Sequence, residues 1–145
     1  MRILGIDFGD KNIGLAVTDK LSLTAQGLGQ YKVKNPDEDK KYFKNLAAQY
    51  EIGKIVIGFP LKMDGTQGSR VQKTKKFARW LEKALNLPIV FWDERLTTKQ
   101  TLKILNEQKF KQKKKKQIKD QISAVIILSS YLEARRTNSY DIQNH

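Results

Sequence analysis

The sequence predicts an α/β fold with a mixed five-stranded sheet and helices on its faces. Short apolar stretches at residues 3–8, 14–18 and 23–34 follow one another with only turns between them, which predicts a three-strand antiparallel meander. Two further apolar strands, at residues 55–57 and 89–92, alternate with helical segments. This alternation is typical of parallel strands that are buried beneath helices.

Helical spacing of apolar residues marks the segments around the two parallel strands. The first helix follows Pro36 and ends near Gly53. The second has Ser69 as its expected cap, and Pro88 closes it. We expect a single domain over residues 1–136, because a chain of this length is in the usual range for one compact core.

The C-terminal part combines helices with a run of positive charge. A third helix is expected to begin near Thr97 or Thr98, and the last helix is expected over residues 118–135. Between them, residues 109–119 contain seven lysines and no acid, which predicts a flexible basic loop. Residues 137–145 are polar and are expected to form a flexible tail.

The net charge predicts a polyanionic partner. The chain has 28 Lys and Arg against 15 Asp and Glu, which gives a formal net charge of +13. Such an excess favours nucleic acid, with an acidic membrane surface or a merely basic protein as the alternatives. Because the N-terminal residues lack the apolar core of a signal peptide and no apolar run approaches the ~20 residues of a membrane span, we expect a cytoplasmic protein without a membrane partner.

Missing residue types restrict the chemistry to carboxylates. The chain has no cysteine, so a disulfide framework, a cysteine zinc site and a cysteine nucleophile are excluded. The one histidine is His145, the last residue, which leaves a serine nucleophile without a histidine base.

Asp7 is the first candidate. It ends an apolar strand, where an ionised carboxylate is costly unless it is paired or binds a cation. Strand alternation places it on the face of Gly5, which leaves room beside the carboxylate. The alternative is a purely structural role, with hydrogen bonds from the amides of Gly9 and Asp10 or an ion pair with Lys11.

Asp93 and Glu94 are the second candidates, at the point where a strand meets a helix. The alternative is a structural role, in which these acids cap the helix and pair with Arg95. Two consecutive carboxylates favour a functional role, and the longer side chain of Glu94 makes it the predicted ligand, with Asp93 supporting it.

Asp120 is the third candidate, in the first turn of the last helix. A strong alternative is that Asp120 has a structural role only, because an acid in the first turn stabilises the positive end of the helix dipole. Ser123 and Ala124, one turn further on, are small enough to let this helix face lie close to another element.

Three converging carboxylates suit hard cations, so Asp7, Glu94 and Asp120 are predicted to bind Mg²⁺ or Mn²⁺ and to catalyse phosphodiester hydrolysis. The turn over residues 58–70 precedes a helix N-terminus that could attract phosphate, although an ordinary surface loop explains it equally well. The side chains predicted to contact nucleic acid are Lys11, Lys62, Arg70, Arg95, Lys113, Lys114, Lys115 and Lys116.

Four motifs occur in order along most of the chain. They are Gly-Ile-Asp-Phe-Gly at residues 5–9, Val-Ile-Gly-Phe-Pro-Leu at residues 56–61, Trp-Asp-Glu-Arg-Leu-Thr-Thr at residues 92–98, and Lys119-Asp120 followed by Ala-Val-Ile-Ile-Leu at residues 124–128. With these motifs the chain resembles the YqgF/RuvX family, whose members are described as Holliday junction resolvases and as nucleases for the 5′ end of precursor 16S ribosomal RNA.

The resemblance implies a ribonuclease H-like fold and assigns the family's acidic positions to Asp7, Glu94 and Asp120. It implies structured RNA or branched DNA as partner, and resolution of a junction would imply a homodimer with two active sites. The chain departs from the family at Asn12, where many relatives have arginine, and at residues 121–123, where smaller residues are common. These departures concern one phosphate contact and the packing around Asp120.

Two functions of other classes compete with a nuclease. The Gly-Ile-Asp-Phe-Gly motif also resembles the first phosphate loop of actin-like and Hsp70-like ATPases, but two such domains need a much longer chain. A non-catalytic RNA-binding factor in ribosome assembly would use the same basic surface without cleavage.

Overall fold

The computed structural model describes the backbone of residues 1–61, 68–94 and 119–143, and the side chains of residues 1–61, 68–94 and 122–136. The helix expected near Thr97 or Thr98 and the basic loop before residue 119 lie outside these ranges. None of the described helices is both long and apolar enough to cross a membrane.

Five strands form one mixed sheet in the order β3-β2-β1-β4-β5. The first three pair antiparallel, and β4 and β5 continue the sheet parallel to β1. The predicted meander and the predicted parallel strands are therefore confirmed. The bounds are β1 Arg2–Asp7, β2 Asn12–Thr18, β3 Ala25–Lys32, β4 Ile52–Phe59 and β5 Ile89–Asp93.

Helices cover both faces of the sheet. On one face, α1 (Pro36–Gln49) and α2 (Ser69–Leu85) pack against each other and against β4. On the other face, α3 (Lys119–Gln143) packs against the first four strands. Because neighbouring strand residues point to opposite faces, Leu4 and Ile6 belong to the core beneath α1 and α2, whereas Ile3 belongs to the core beneath α3.

Two helix boundaries differ from the sequence prediction. Helix α1 ends at Gln49, and Gly53 lies inside β4, because Glu51 takes a positive φ of 52° that turns the chain back into the sheet. Ser69 does not cap α2: it is the first helical residue, and the cap is Gly68, which has no side chain to accept a hydrogen bond.

Two further expectations need correction. Strand β5 was expected to be buried, but it is the outermost strand of the described sheet and is only partly covered, with Phe91 39% exposed. Helix α3 continues to Gln143, beyond the predicted end at Arg135, so the backbone of the expected tail is helical as far as Gln143. The prediction stopped too early because polar residues that follow the last buried positions can still extend a helix by local hydrogen bonding alone.

Candidate active site

The side chain of Asp7 lies at the end of the sheet where β1, β4 and β5 all finish, here called the carboxyl edge. Asp7 is the last residue of β1, and the pairing of Ile6 with Ile57 puts Asp7 level with Gly58 of β4. Gly58 in turn pairs with Trp92 of β5. Three parallel strands therefore bring their last residues to one place, as expected for sites in open α/β sheets.

Glu94 reaches from the end of β5 towards β1. Its backbone amide donates a hydrogen bond to the carbonyl of Phe59, with the two atoms 3.3 Å apart, which continues the pairing of β5 with β4. Its side chain makes a hydrogen bond with the side chain of Asp7. The two carboxyl groups therefore lie next to each other at the carboxyl edge.

Gly58 makes this contact possible. A Cβ atom at residue 58 would lie 2.6 Å from Oε1 of Glu94 and 2.5 Å from Cδ1 of Ile127. Both distances are far below an ordinary van der Waals contact, so the Glu94 carboxyl group occupies the space that a side chain at residue 58 would fill. The sequence places Gly58 at the start of a turn over residues 58–70, whereas the structure places it within β4, beneath the Glu94 carboxyl group.

The environment of Glu94 raises the pKa of its carboxyl group above the ordinary value of 4.5. Desolvation is the largest cause: the residue as a whole is exposed, but its carboxyl group is packed over Gly58. The negative charge of Asp93 raises the pKa further, whereas the hydrogen bond with Asp7 and the positive charge of Arg70 lower it. The ionised form is therefore disfavoured in the protein without a cation.

This shift predicts that Glu94→Gln stabilises the metal-free protein at neutral pH. A group with a raised folded-state pKa contributes stability that is complete below its ordinary pKa and is lost as the pH rises through the folded-state pKa. We therefore expect the melting temperature of Glu94→Gln to be higher than that of the wild type at about pH 7.5 in EDTA. The difference in melting temperature should vanish near pH 4. Glu82→Gln, the same change at an exposed position of α2, is the control and should leave the melting temperature unchanged at both pH values. A wild type that melts at or above Glu94→Gln at neutral pH would contradict this view of the site.

Helix α3 approaches the sheet closely at Gly5. A Cβ atom there would lie 2.9 Å from Cβ of Leu128 and 3.3 Å from the carbonyl oxygen of Ala124. The small residue at position 124 therefore does allow close packing, as the sequence suggested, and the packing partner is β1.

The direction of α3 places its first turn towards the carboxyl edge. Ile127 lies at the level of Gly58, whereas Tyr131, one turn later, accepts a hydrogen bond of 3.0 Å from Nζ of Lys54 nearer the start of β4. The helix thus runs opposite to β4. Asp120 lies in the first turn, one turn before the close contact at Ala124, and its side chain is outside the described residues.

Among the described residues, Arg70 is the predicted nucleic-acid contact that lies beside the acidic pair. Its Nη2 donates a hydrogen bond of 3.2 Å to the carbonyl of Phe8, the residue after Asp7. Its own carbonyl accepts a hydrogen bond of 2.8 Å from the hydroxyl of Thr74. Arg70 is exposed and its charge acts on Glu94, so it presents a positive group beside the carboxylates.

The other predicted site residues are placed as follows. Lys11 is exposed in the turn after β1, where its carbonyl accepts a hydrogen bond of 2.8 Å from the amide of Val33. Asp93 ends β5, but among the described side chains it does not complete a group of three acids placed to hold a metal ion. The side chains outside the described residues are Lys62, Arg95, Lys113, Lys114, Lys115 and Lys116.

The mixed five-stranded sheet with helices on both faces places the chain in the ribonuclease H-like fold class. The fold is similar to that of Thermus thermophilus RuvC, with a TM-score of 0.59 at 16% identity over 94% of this chain and 97% of that one. It is equally similar to Fowlpox virus resolvase in complex with Holliday junction DNA, with a TM-score of 0.59 at 15% identity over 93% and 99% of the two chains.

Sequence comparison identifies the family. The family model described as "RuvX: Holliday junction resolvase" matches residues 1–134. A Halothermothrix orenii protein named "Putative pre-16S rRNA nuclease" is 44% identical over 132 residues, which cover 91% of this chain and 94% of that protein. A Syntrophus aciditrophicus protein of the same name is 45% identical over 134 residues, covering 92% and 89% of the two chains. The chain therefore belongs to the RuvX family of resolvase-like nucleases.

Proposed function

We propose that the protein is a metal-dependent endonuclease that cleaves structured RNA at the carboxyl edge, with the 5′ end of precursor 16S ribosomal RNA as its substrate. The observation that carries the proposal is the side-chain contact between Asp7 and Glu94, which concentrates two carboxyl groups in a chain with a net charge of +13. Such a pair is costly by itself and becomes favourable when a cation binds it.

The residues fit Mg²⁺ or Mn²⁺. Carboxylate oxygens are the ligands that these hard cations prefer, and the pair is partly desolvated and held together over Gly58. We assign Asp7 and Glu94 as ligands and Asp120, at the start of α3, as the third. Divalent cations bound there would activate a water molecule and stabilise the leaving oxygen of a phosphodiester.

The charged residues around the acidic pair bind the substrate and strengthen the attraction of the pair for a cation. Arg70, next to the pair and exposed, is placed to contact a phosphate oxygen, and Lys11 extends the positive surface around the turn after β1. The charge of Asp93 adds to the field that attracts the cation. Phosphate and cation should therefore bind together, because the acidic pair repels a phosphate when no cation is present.

Branched DNA is the alternative substrate. The curated relatives are named for precursor ribosomal RNA, whereas the family model and the structural neighbours are named for Holliday junctions. We favour RNA because the relatives with that name are 44% and 45% identical, against 15% and 16% for the two resolvases. Symmetric cleavage of a junction would in addition require a homodimer.

The test is a side-by-side cleavage assay. Precursor ribosomal RNA carrying the 5′ extension and a four-way DNA junction are incubated with the full chain in Mg²⁺, in Mn²⁺ and in EDTA. We expect cleavage of the RNA that depends on the divalent cation and is absent with Asp7→Asn. Faster cleavage of the junction would reverse the choice of substrate, and binding without cleavage of either would favour a non-catalytic assembly factor.

The lysines at positions 113–116 give a separate prediction about affinity. Changing all four to glutamine removes four positive charges without altering the three proposed ligands. If all four contact phosphates, the slope of log affinity against log salt should fall by about 3 for single-stranded nucleic acid, at about 0.7 per contact. Fluorescence anisotropy over a salt series measures this slope, and an unchanged slope would show that these lysines do not touch the substrate.

A further inference from the structure

A cavity lies on the opposite face of the sheet from the acidic pair, beneath α1 and α2. Its volume is about 420 Å³, which is within the range of small-ligand sites. The wall is formed in part by Phe8, the residue directly after Asp7, so the cavity and the acidic site share the end of β1. The wall includes Phe8, Phe77 and Trp80, and the rim includes Asp10, Lys73 and Lys76.

The wall of the cavity is aromatic. Phe8 and Phe77 are stacked, with ring centroids 4.6 Å apart and planes inclined by 26°. Trp80 continues this surface, with its ring centroid 5.9 Å from that of Phe77. All three side chains are only partly buried, so an aromatic surface remains accessible from the cavity.

The solvent-facing rim of the cavity carries two lysines and one aspartate. Lys73 and Lys76 are exposed on α2. Lys73 makes an ion pair of 3.3 Å with Asp10, but both side chains are more than half exposed, and such surface pairs open readily. The other acid of the lining, Asp39, is buried and already accepts hydrogen bonds from the hydroxyl of Tyr31 and the amide of Lys34.

We propose that this cavity binds one unpaired nucleobase of a single-stranded segment, whose neighbouring phosphate lies at the carboxyl edge. The proposal rests on the proposed nuclease function and adds a substrate class to it: single strand next to the cleaved bond. Aromatic surfaces stack on any base, whereas lysines at the rim bind the flanking phosphate. A single-stranded nucleic acid that crosses the end of β1 can place a phosphate next to Asp7 on one face of the sheet. It can then place a base next to Phe8 on the other face.

Trp80 provides a direct signal for the test. The chain has two tryptophans, so Trp92→Phe leaves Trp80 as the sole tryptophan. The single-tryptophan protein is titrated in EDTA with a thymidine octamer, with an abasic octamer that has the same backbone charge, and with a blunt duplex. We expect saturable quenching by the thymidine octamer, with about ten-fold tighter binding than the abasic octamer, and no quenching by the duplex.

Paired variants test the rim in the same background. Lys76→Gln removes a rim charge, and Lys83→Gln removes a charge from the same helix away from the cavity lining. The salt slope for the thymidine octamer should fall by about 0.7 with Lys76→Gln and stay unchanged with Lys83→Gln. Circular dichroism confirms that each variant is folded.

The proposal is overturned if the abasic octamer binds and quenches as well as the thymidine octamer, or if none of the probes changes Trp80 fluorescence. The experiment needs no cleavage, so it separates the two proposals. Base-dependent quenching by a protein that cleaves nothing would retain the base site and remove the nuclease. Cation-dependent cleavage without base-dependent quenching would support the nuclease function and contradict the base site.

Discussion

Asp7→Asn should reduce cation-dependent cleavage by about 10³-fold or more while leaving nucleic-acid affinity nearly unchanged. Loss of a single preorganised hydrogen-bond donor to a developing oxyanion already costs about 10²–10³ in kcat in other enzymes. We expect a larger loss for Asp7, because it is both a proposed ligand and the side chain that contacts Glu94. The amide of asparagine preserves shape and hydrogen bonding but removes the negative charge that attracts the cation.

Single-turnover cleavage and equilibrium binding, measured on the same RNA, separate the two effects. Binding in EDTA should be equal or slightly tighter with Asp7→Asn, since one negative charge near the phosphate is lost. Asp37→Asn is the matched control, because it makes the same change at an exposed position in the first turn of α1. If Asp7→Asn cleaves as fast as Asp37→Asn, Asp7 does not take part in the reaction and the proposed active site is wrong.

Gly58→Ala should lower cleavage by about 10²-fold and also destabilise the fold. The added methyl group would meet Oε1 of Glu94 at 2.6 Å and Cδ1 of Ile127 at 2.5 Å, so at least one of them must move. A displacement of about 1 Å in a catalytic group can cost about 10² in rate. Overpacking of this kind typically costs about 1–3 kcal/mol of stability.

Gly53→Ala provides the control on the same strand. The nearest atoms to its added methyl group belong to Met1, which is 93% exposed and can move away at little cost. Urea denaturation and the cleavage assay should therefore show a large effect at residue 58 and a small one at residue 53. If Gly58→Ala cleaves as fast as Gly53→Ala, the position of the Glu94 carboxyl group over Gly58 is not required for activity.

The two glycine variants also separate stability from chemistry. Destabilisation lowers cleavage only when the unfolded fraction becomes appreciable, and that fraction is measured directly at the assay temperature. A folded Gly58→Ala protein with slow cleavage would locate the defect in the placement of Glu94. Mn²⁺ in place of Mg²⁺ then shows whether a different cation tolerates the displaced carboxyl group.

The sequence by itself determined the strand pattern and the face on which Asp7 lies. Alternation of side chains along β1 is a local property with a period of two residues, so it assigns Asp7 to the face of Gly5 without any knowledge of the sheet. Composition likewise limited the chemistry to carboxylates, because it depends only on which residues are present. The motifs then indicated the family, which the comparisons confirmed.

Local pattern was less reliable at element boundaries and at the edge of the sheet. Ser69 is a good capping residue, yet the chain enters α2 one residue earlier and Gly68 takes that position. The apolar run of β5 is typical of a buried strand, but β5 lies outermost in the described sheet. Strand order and the path of a loop depend on contacts between distant segments, which periodicity does not report.

Only the tertiary structure decided that Glu94 reaches Asp7. The contact requires β4 to lie between β1 and β5, a register that brings Asp7 and Gly58 level, and a residue without a side chain at position 58. Each condition is set by packing of the whole sheet against its helices. The sequence could therefore name the carboxylates, whereas their distance, and with it the raised pKa of Glu94, follows from strand order and register.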